Sequence, residues 1–460
     1  MKTIQLCISP AIVILAISFV IFLSGCDLIG PSEKLPATTT STTTTTGSTT
    51  STTGPHAWIT DHNPHLQPNM AKPNVGAAYA DPVFGATVMR LTDAVSMGAD
   101  VGNGGVVPDY SKRQAWNFDE SKLLLRGSDG SVLLYNGATY ELIKKLASEV
   151  GGDDIFWHPS NNALIYYIIE NRFYSFNVNT DANSLLRTFS DYDFIGTPGE
   201  GNLSSDGRYC ALVGRMYVAP DVFVKALLVY DIISNEVTST ETFSSTPESF
   251  DWVSISPKGN YVVVDYADET VGNYHGVEVY DKNFNRKWQK PLGAGHSDLG
   301  IDSNGDEVLV MGIYDPDTNT EFIKKYRLED GAVTTLLELS LFFDYHISCR
   351  NEQRPGWSFI STFDYVARLS DEADNPALDW LPFEDEVFAL KMDGSESVER
   401  YAHHHSRRYS PSTYDSDHSV YFAEPHATVS RQANRILFGS NWRQNMSSES
   451  SIDTYVIDLR

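Results

Sequence analysis

From Trp116 onward the chain repeats one pattern: a short apolar stretch, a polar turn of the Ser-Asp-Gly kind, then a second apolar stretch rich in β-branched and aromatic residues. Copies occur at Trp116–Leu125, Trp157–Tyr166, Leu203–Leu212, Ile255–Val264 and Ile301–Val310. A sixth copy, Pro355–Ser361, has an altered turn, and in a seventh, Val429–Phe438, Gln432-Ala433 takes the place of Asp-Gly. Each copy is followed by a partner stretch: Val132–Tyr135, Phe173–Phe176, Leu228–Asp231, Val277–Asp281, Ile323–Tyr326, Val387–Leu390 and Tyr455–Asp458. Such stretches favour strands, and Gly207, Gly259 and Gly305 fall where a tight turn needs positive φ. Seven copies at a spacing of roughly 40–50 residues predict an all-β chain, a seven-bladed β-propeller of four-stranded antiparallel blades. The stretches Asp364–Asp385 and Arg407–Asp417 read as inserts that form loops on one face, and no long helix is expected.

Ahead of the repeats, Lys2 precedes an apolar run from Ile12 to Leu23 broken only by Ser18, and Leu23-Ser24-Gly25-Cys26 follows. The run is short for a membrane span and has the layout of an export signal. The Leu-Ser-Gly-Cys tetrapeptide resembles the lipobox of bacterial lipoproteins, which implies cleavage before Cys26, lipidation of that cysteine, and a location in the cell envelope facing the periplasm or the exterior. Asp27 is similar to an inner-membrane retention residue of enteric bacteria, and inner and outer membrane stay open. Ala37 to Gly54 holds fifteen Ser/Thr among eighteen residues, too little apolar surface to offset ordering, so it is expected to be a tether. The expected organisation is a signal over 1–25, lipidated Cys26 with tether and lead-in over 26–80, and the propeller over 81–460.

Charge narrows the partners. With 34 Lys+Arg against 60 Asp+Glu the formal charge is 34 − 60 = −26, the wrong sign for coating a nucleic acid. The membrane is expected to be reached through the lipid anchor only. Of four cysteines, Cys7 leaves with the signal and Cys26 carries lipid, so Cys210 and Cys349 make no disulfide framework. Nucleophile-elbow, phosphate-loop, His-Glu-x-x-His and Cys-x-x-Cys motifs are missing. Asp302–Asp306 and Asp315–Asn319 have some calcium-loop character but lack the downstream Glu.

The histidines are the candidate chemistry. His296, His346, His403, His404, His405, His418 and His426 crowd the last third of the chain. His296, His346 and His426 each stand just ahead of, or within, the first strand of a unit, and in a propeller these strands line the central channel. Residues 130 apart in sequence are therefore expected to meet. His346, His426 and one of His403 to His405, with His404 chosen, are the expected ligands of a divalent metal such as Mn²⁺ or Zn²⁺. His296 is the candidate general base, with Arg350 and Tyr345 as its catalytic companions. Arg354, Arg407, Arg443 and Trp442 are candidate contacts to an acidic sugar, since guanidinium forks bind carboxylates and aromatic rings stack on sugar rings.

Two resemblances sharpen this reading. The turns Ser205-Asp206-Gly207-Arg208-Tyr209 and Ser256-Pro257-Lys258-Gly259-Asn260 resemble the WD40-like repeats of TolB-type propellers over about Pro82 to Arg460. Glu424-Pro425-His426, running on to Arg435-Ile436-Leu437-Phe438-Gly439-Ser440-Asn441-Trp442, is similar to the closing blade of the oligogalacturonate lyases. That similarity implies a metal-assisted polysaccharide lyase acting on uronate-containing oligosaccharides by β-elimination; ulvan lyases would be a second acidic-glycan analogy. The alternative is a non-catalytic propeller lipoprotein that binds glycan or protein partners.

Overall fold

The computed structural model describes residues 57–244, 247, 250–266, 274–318, 320–340, 343–364, 380–407, 421–443 and 452–460. The expected export signal, Cys26, the expected tether, Arg408, His418 and most of both inserts lie outside the described residues. The rest is a ring of seven antiparallel sheets, as the repeats predict. Six have four strands in sequence order, beginning at Val106–Val107, Ile155–Trp157, Phe194–Gly196, Trp252–Ile255, Asp298–Ile301 and Phe343–Ser348. They are blades one to six. Among the described residues the only α-helix is Ala94–Met97, and no helix is long and apolar enough to cross a membrane.

The continuous apolar runs follow from a blade being covered on both faces. Side chains alternate along a strand, so neighbouring residues enter different cores. Cys210 and Leu212 pack with Phe156, Tyr166 and Phe173 of the second blade, whereas Ala211 and Val213 pack with Val253, Val262 and Val264 of the fourth. Both faces therefore need apolar residues, which erases the polar–apolar alternation of a half-exposed strand. Cys210 and Cys349 are free and buried, and burial pushes both thiols up.

The turns carry the backbone conformation their residues suggest: Gly207 and Gly259 have φ of 72° and 73°. Ala433, at the substituted seventh turn, keeps the left-handed geometry with φ of 55°. Asp302, in the stretch with calcium-loop character, accepts from Lys325 Nζ at 2.7 Å and caps its own turn, so Lys325 supplies its positive charge.

The seventh blade closes the ring from both ends of the chain. Its strands Thr428–Val429, Arg435–Ser440 and Asp453–Asp458 are joined by Thr87–Arg90, with Val88 opposite Ile457, and then by Ala78–Ala80. The sheet thus begins ahead of residue 81, and Trp58, Met70 and Tyr79 pack against the core of the last two blades. Buried Asp453 binds the lead-in through Lys72 Nζ at 2.6 Å and the strand Thr87–Arg90 through Arg90 Nη2 at 3.0 Å.

Candidate functional site

Three inner edges converge at the channel. His346 lies within the first strand of the sixth blade, opposite Ser361, and is fully buried. Glu424 and His426 flank Pro425 just before the first strand of the seventh blade. Proline disfavours helical geometry in the residue before it, and the 3-10 turn Tyr421–Ala423 stops just short of Glu424. The amides of Ala427 and Val429 donate to Ser361 Oγ and Ser348 Oγ, each at 3.3 Å, which fastens this segment to the blade that carries His346. His426 has φ of 44°, an uncommon conformation for a residue with a side chain and one that surrounding structure must hold.

The donor atoms of His346, Glu424 and His426 all lie within 4.8 Å of one another. Glu424 Oε2 stands 3.5 Å from His346 Nε2 and 3.6 Å from His426 Nε2, and the two imidazole centroids are 4.1 Å apart. These separations are long for hydrogen bonds. Donors bound at 2.0–2.2 Å to one ion stand about 3–4 Å apart, so the set fits a single divalent cation. Tyr110 closes one side, with its ring 5.5 Å from His346 and 5.2 Å from His426.

His296 adjoins the cluster from the loop before the fifth blade, its ring 4.5 Å from His346. Its Nδ1 is 2.8 Å from Asp344 Oδ1, and its side chain is 30% exposed, the accessible member of an otherwise closed group. Burial alone would pull its pKa down; the Asp344 carboxylate, helped by Glu424 and Glu200, raises it to about 9. Lys112 provides a nearby ammonium. It donates to Gly295 O at 2.9 Å, pairs with Glu200, and lies 4.3 Å over the Trp252 ring.

The structure thus brings together His296, His346 and His426 and leaves the other sequence candidates elsewhere. His404 bonds the Thr362 carbonyl at 2.8 Å and accepts from the Ser406 amide; His403 bonds the carbonyl of His65, and His405 stacks on Trp442. The third donor beside His346 and His426 is Glu424 rather than His404. Tyr345 points to the opposite strand face from His346: it packs against Gly312 and donates to Glu321 at 2.7 Å. Arg350 spends its fork on Asp298, at 3.0 and 2.8 Å. Arg354 binds Glu399 and Arg443 binds Asp385. The buried amide of Arg407 donates to Asn441. Trp442 is buried between His405 and Tyr455, with no ring face for a sugar.

No protein-family profile matches the chain, and no curated protein matches it. Among solved structures it is similar to an oligogalacturonate lyase from Vibrio parahaemolyticus, with TM-score 0.57 and 13% identity over 84% of this chain and 96% of that one. It is similar also to an oligogalacturonate lyase solved in complex with manganese, with TM-score 0.57, 15% identity and the same coverages. What they share with this chain is the fold. The expected likeness to the oligogalacturonate lyase propellers is met at that level.

Sequence reasoning quoted Glu424 in the Glu424-Pro425-His426 segment without giving it a ligand role, and passed over Asp344, Tyr110 and Lys112. Glu424 had a usable signal, a carboxylate two residues before a histidine across a proline. The run Asp109-Tyr110-Ser111-Lys112-Arg113 had a weaker one, polar residues at the inner edge of a blade.

Proposed function

We propose that the protein is an exported, lipid-anchored lyase that cleaves uronate-containing oligosaccharides by metal-assisted β-elimination. The observation that carries the reading is the meeting of His346, Glu424 and His426 from two blades, with Asp344-held His296 beside them. Two imidazoles and a carboxylate suit Mn²⁺ or Zn²⁺, and the structural likeness to a lyase solved with manganese supports that chemistry. When bound there, a divalent ion would draw charge from the uronate carboxylate, acidify the proton on the neighbouring ring carbon, and by repulsion favour neutral His296.

His296 takes that proton through Nε2, with Asp344 fixing the ring through Nδ1. The C–H electron pair becomes a C=C bond, the glycosidic C–O bond at the β-carbon breaks, and the departing oxygen takes a proton from water. The half-buried Tyr110 ring and the blade edges limit the access of solvent to the donors. Export and anchoring are supported by the first 26 residues alone.

Elemental analysis of the purified protein tests the reading. About one equivalent of transition metal is expected, lost in His426→Ala and in Glu424→Gln, with ultraviolet-absorbing unsaturated uronate formed only by the loaded wild type. A wild-type protein that takes up neither Mn²⁺ nor Zn²⁺ sinks the metal-assisted mechanism and leaves a glycan- or protein-binding propeller. For the anchor, labelled palmitate should enter the wild-type protein and not Cys26→Ser; equal labelling of both would discard Cys26 as the lipid site.

A further inference from the structure

Beside the cluster, across the Tyr110 ring, opens a cavity of about 340 Å³, lined by residues of the first three blades and by Phe422. That volume lies at the lower end of small-molecule sites, roughly 300–1,000 Å³. Its charge is opposite to what a uronate needs. Among its described lining residues Asp109, Asp153 and Glu200 supply three carboxylates against one guanidinium, that of Arg126. Arg126 is already engaged, with Nε on Asp109 Oδ1 at 2.7 Å and Nη2 on Gly152 O at 2.7 Å. The ammonium of Lys112, partner of the lining residue Glu200, is also held by the Gly295 carbonyl.

We infer that this cavity is a subsite for an uncharged sugar, so that the substrate is a glycan alternating a uronate with a neutral residue. The inference rests on the lyase reading above. A second uronate placed here would meet the like charge of Asp153, while Arg126 and Lys112 are already held by Asp109 and Glu200. Sugar hydroxyls, by contrast, are donors, and carboxylates accept from them strongly. Phe422, 40% exposed, and Tyr110 give the ring apolar faces to lie on. The uronate itself stays at the His296 side, where the cation-binding donors are.

The test uses the purified Mn²⁺-loaded protein and matched oligomers of galacturonate, glucuronate and mannuronate, each as the homo-oligomer and as the form alternating with a neutral hexose or deoxyhexose. Cleavage is read as unsaturated uronate, and affinity by calorimetry on His296→Ala. For one uronate the alternating form should win by about tenfold or more in kcat/KM and in affinity. Exposed Asp153, changed to Lys, should narrow that gap by admitting a second uronate. A homo-oligomer that is cleaved as well or better overturns the inference and leaves the lyase reading standing. So does a preference that Asp153→Lys leaves unchanged, because the cavity is then not its source. If no oligomer is cleaved or bound, the lyase reading fails and the subsite with it.

Discussion

Burial raises the carboxyl of Asp251 from 3.8 to about 6, with Glu200 adding to the shift and Lys112 and His296 opposing it. The folded protein then holds a proton that the unfolded chain has released between these values. A group shifted in this direction contributes stability that is full below about pH 4 and lost as the pH rises through about 6. The displacement corresponds to at most about 3 kcal/mol, and partial exposure reduces it to about 1–2 kcal/mol. Asp251→Asn should therefore gain about that much at pH 7 and lose the decline between pH 4 and 6, measured by urea unfolding across that range. An unchanged pH profile would show that Asp251 is ionised at no cost. Which residues of the site were legible follows the same local logic. His296, His346 and His426 stood out because histidine is scarce and their offsets to the repeat were alike. Asp344, Glu424 and Asp251 did not, because each is one carboxylate among 60 acidic residues, and only folding reveals which are desolvated. The arginines misled for a related reason: in an acidic chain, buried ion pairs such as Arg350–Asp298 consume the guanidinium groups.

At the scale of elements, the repeats made the blades legible because a strand covered on both faces must be apolar throughout, and a polar turn then marks each boundary. The closing strand Ala78–Ala80 gave no such signal. Three residues with no run around them form a strand only because Thr87–Arg90 offers its edge, with Tyr79 opposite Val88. The seam depends on more than these ladders. Asp453, 0% exposed, holds Lys72 of the lead-in and Arg90 of the joining strand, and accepts from the Ala94 amide at 2.8 Å. Removing one partner of such a set strands the other charges in a poorly solvated place. Asp453→Ala should cost about 3–5 kcal/mol, whereas Asp181→Ala, whose partner Lys144 lies on an exposed edge, should cost no more than about 1 kcal/mol. Denaturant melts of the two variants decide it. Equal losses would mean that the seam is held by its strands and packing, with the ion pairs incidental.

For the whole molecule, a net charge of −26 sets the sign of every long-range encounter. A polyuronate approaching this protein is repelled until it reaches the few cationic groups and the cation-binding donors of the channel. Screening shortens that repulsion: the Debye length falls from ~30 Å at 0.01 M salt to ~8 Å at 0.15 M. His346, Glu424, His426 and His296 are packed within a few ångströms of one another, where added salt acts far less. Raising the salt should therefore speed association while leaving the chemical step nearly untouched. At fixed Mn²⁺, KM for a uronate oligomer is expected to fall severalfold between about 0.01 and 0.15 M NaCl, with kcat steady. This is the opposite of a nucleic-acid binder, whose affinity drops as salt displaces its phosphate contacts. The oligomers in which every second sugar is neutral carry half the charge density, so their KM should respond less steeply than that of the homo-oligomers. A KM that rises with salt would mean that a local positive surface, and not the global charge, governs capture.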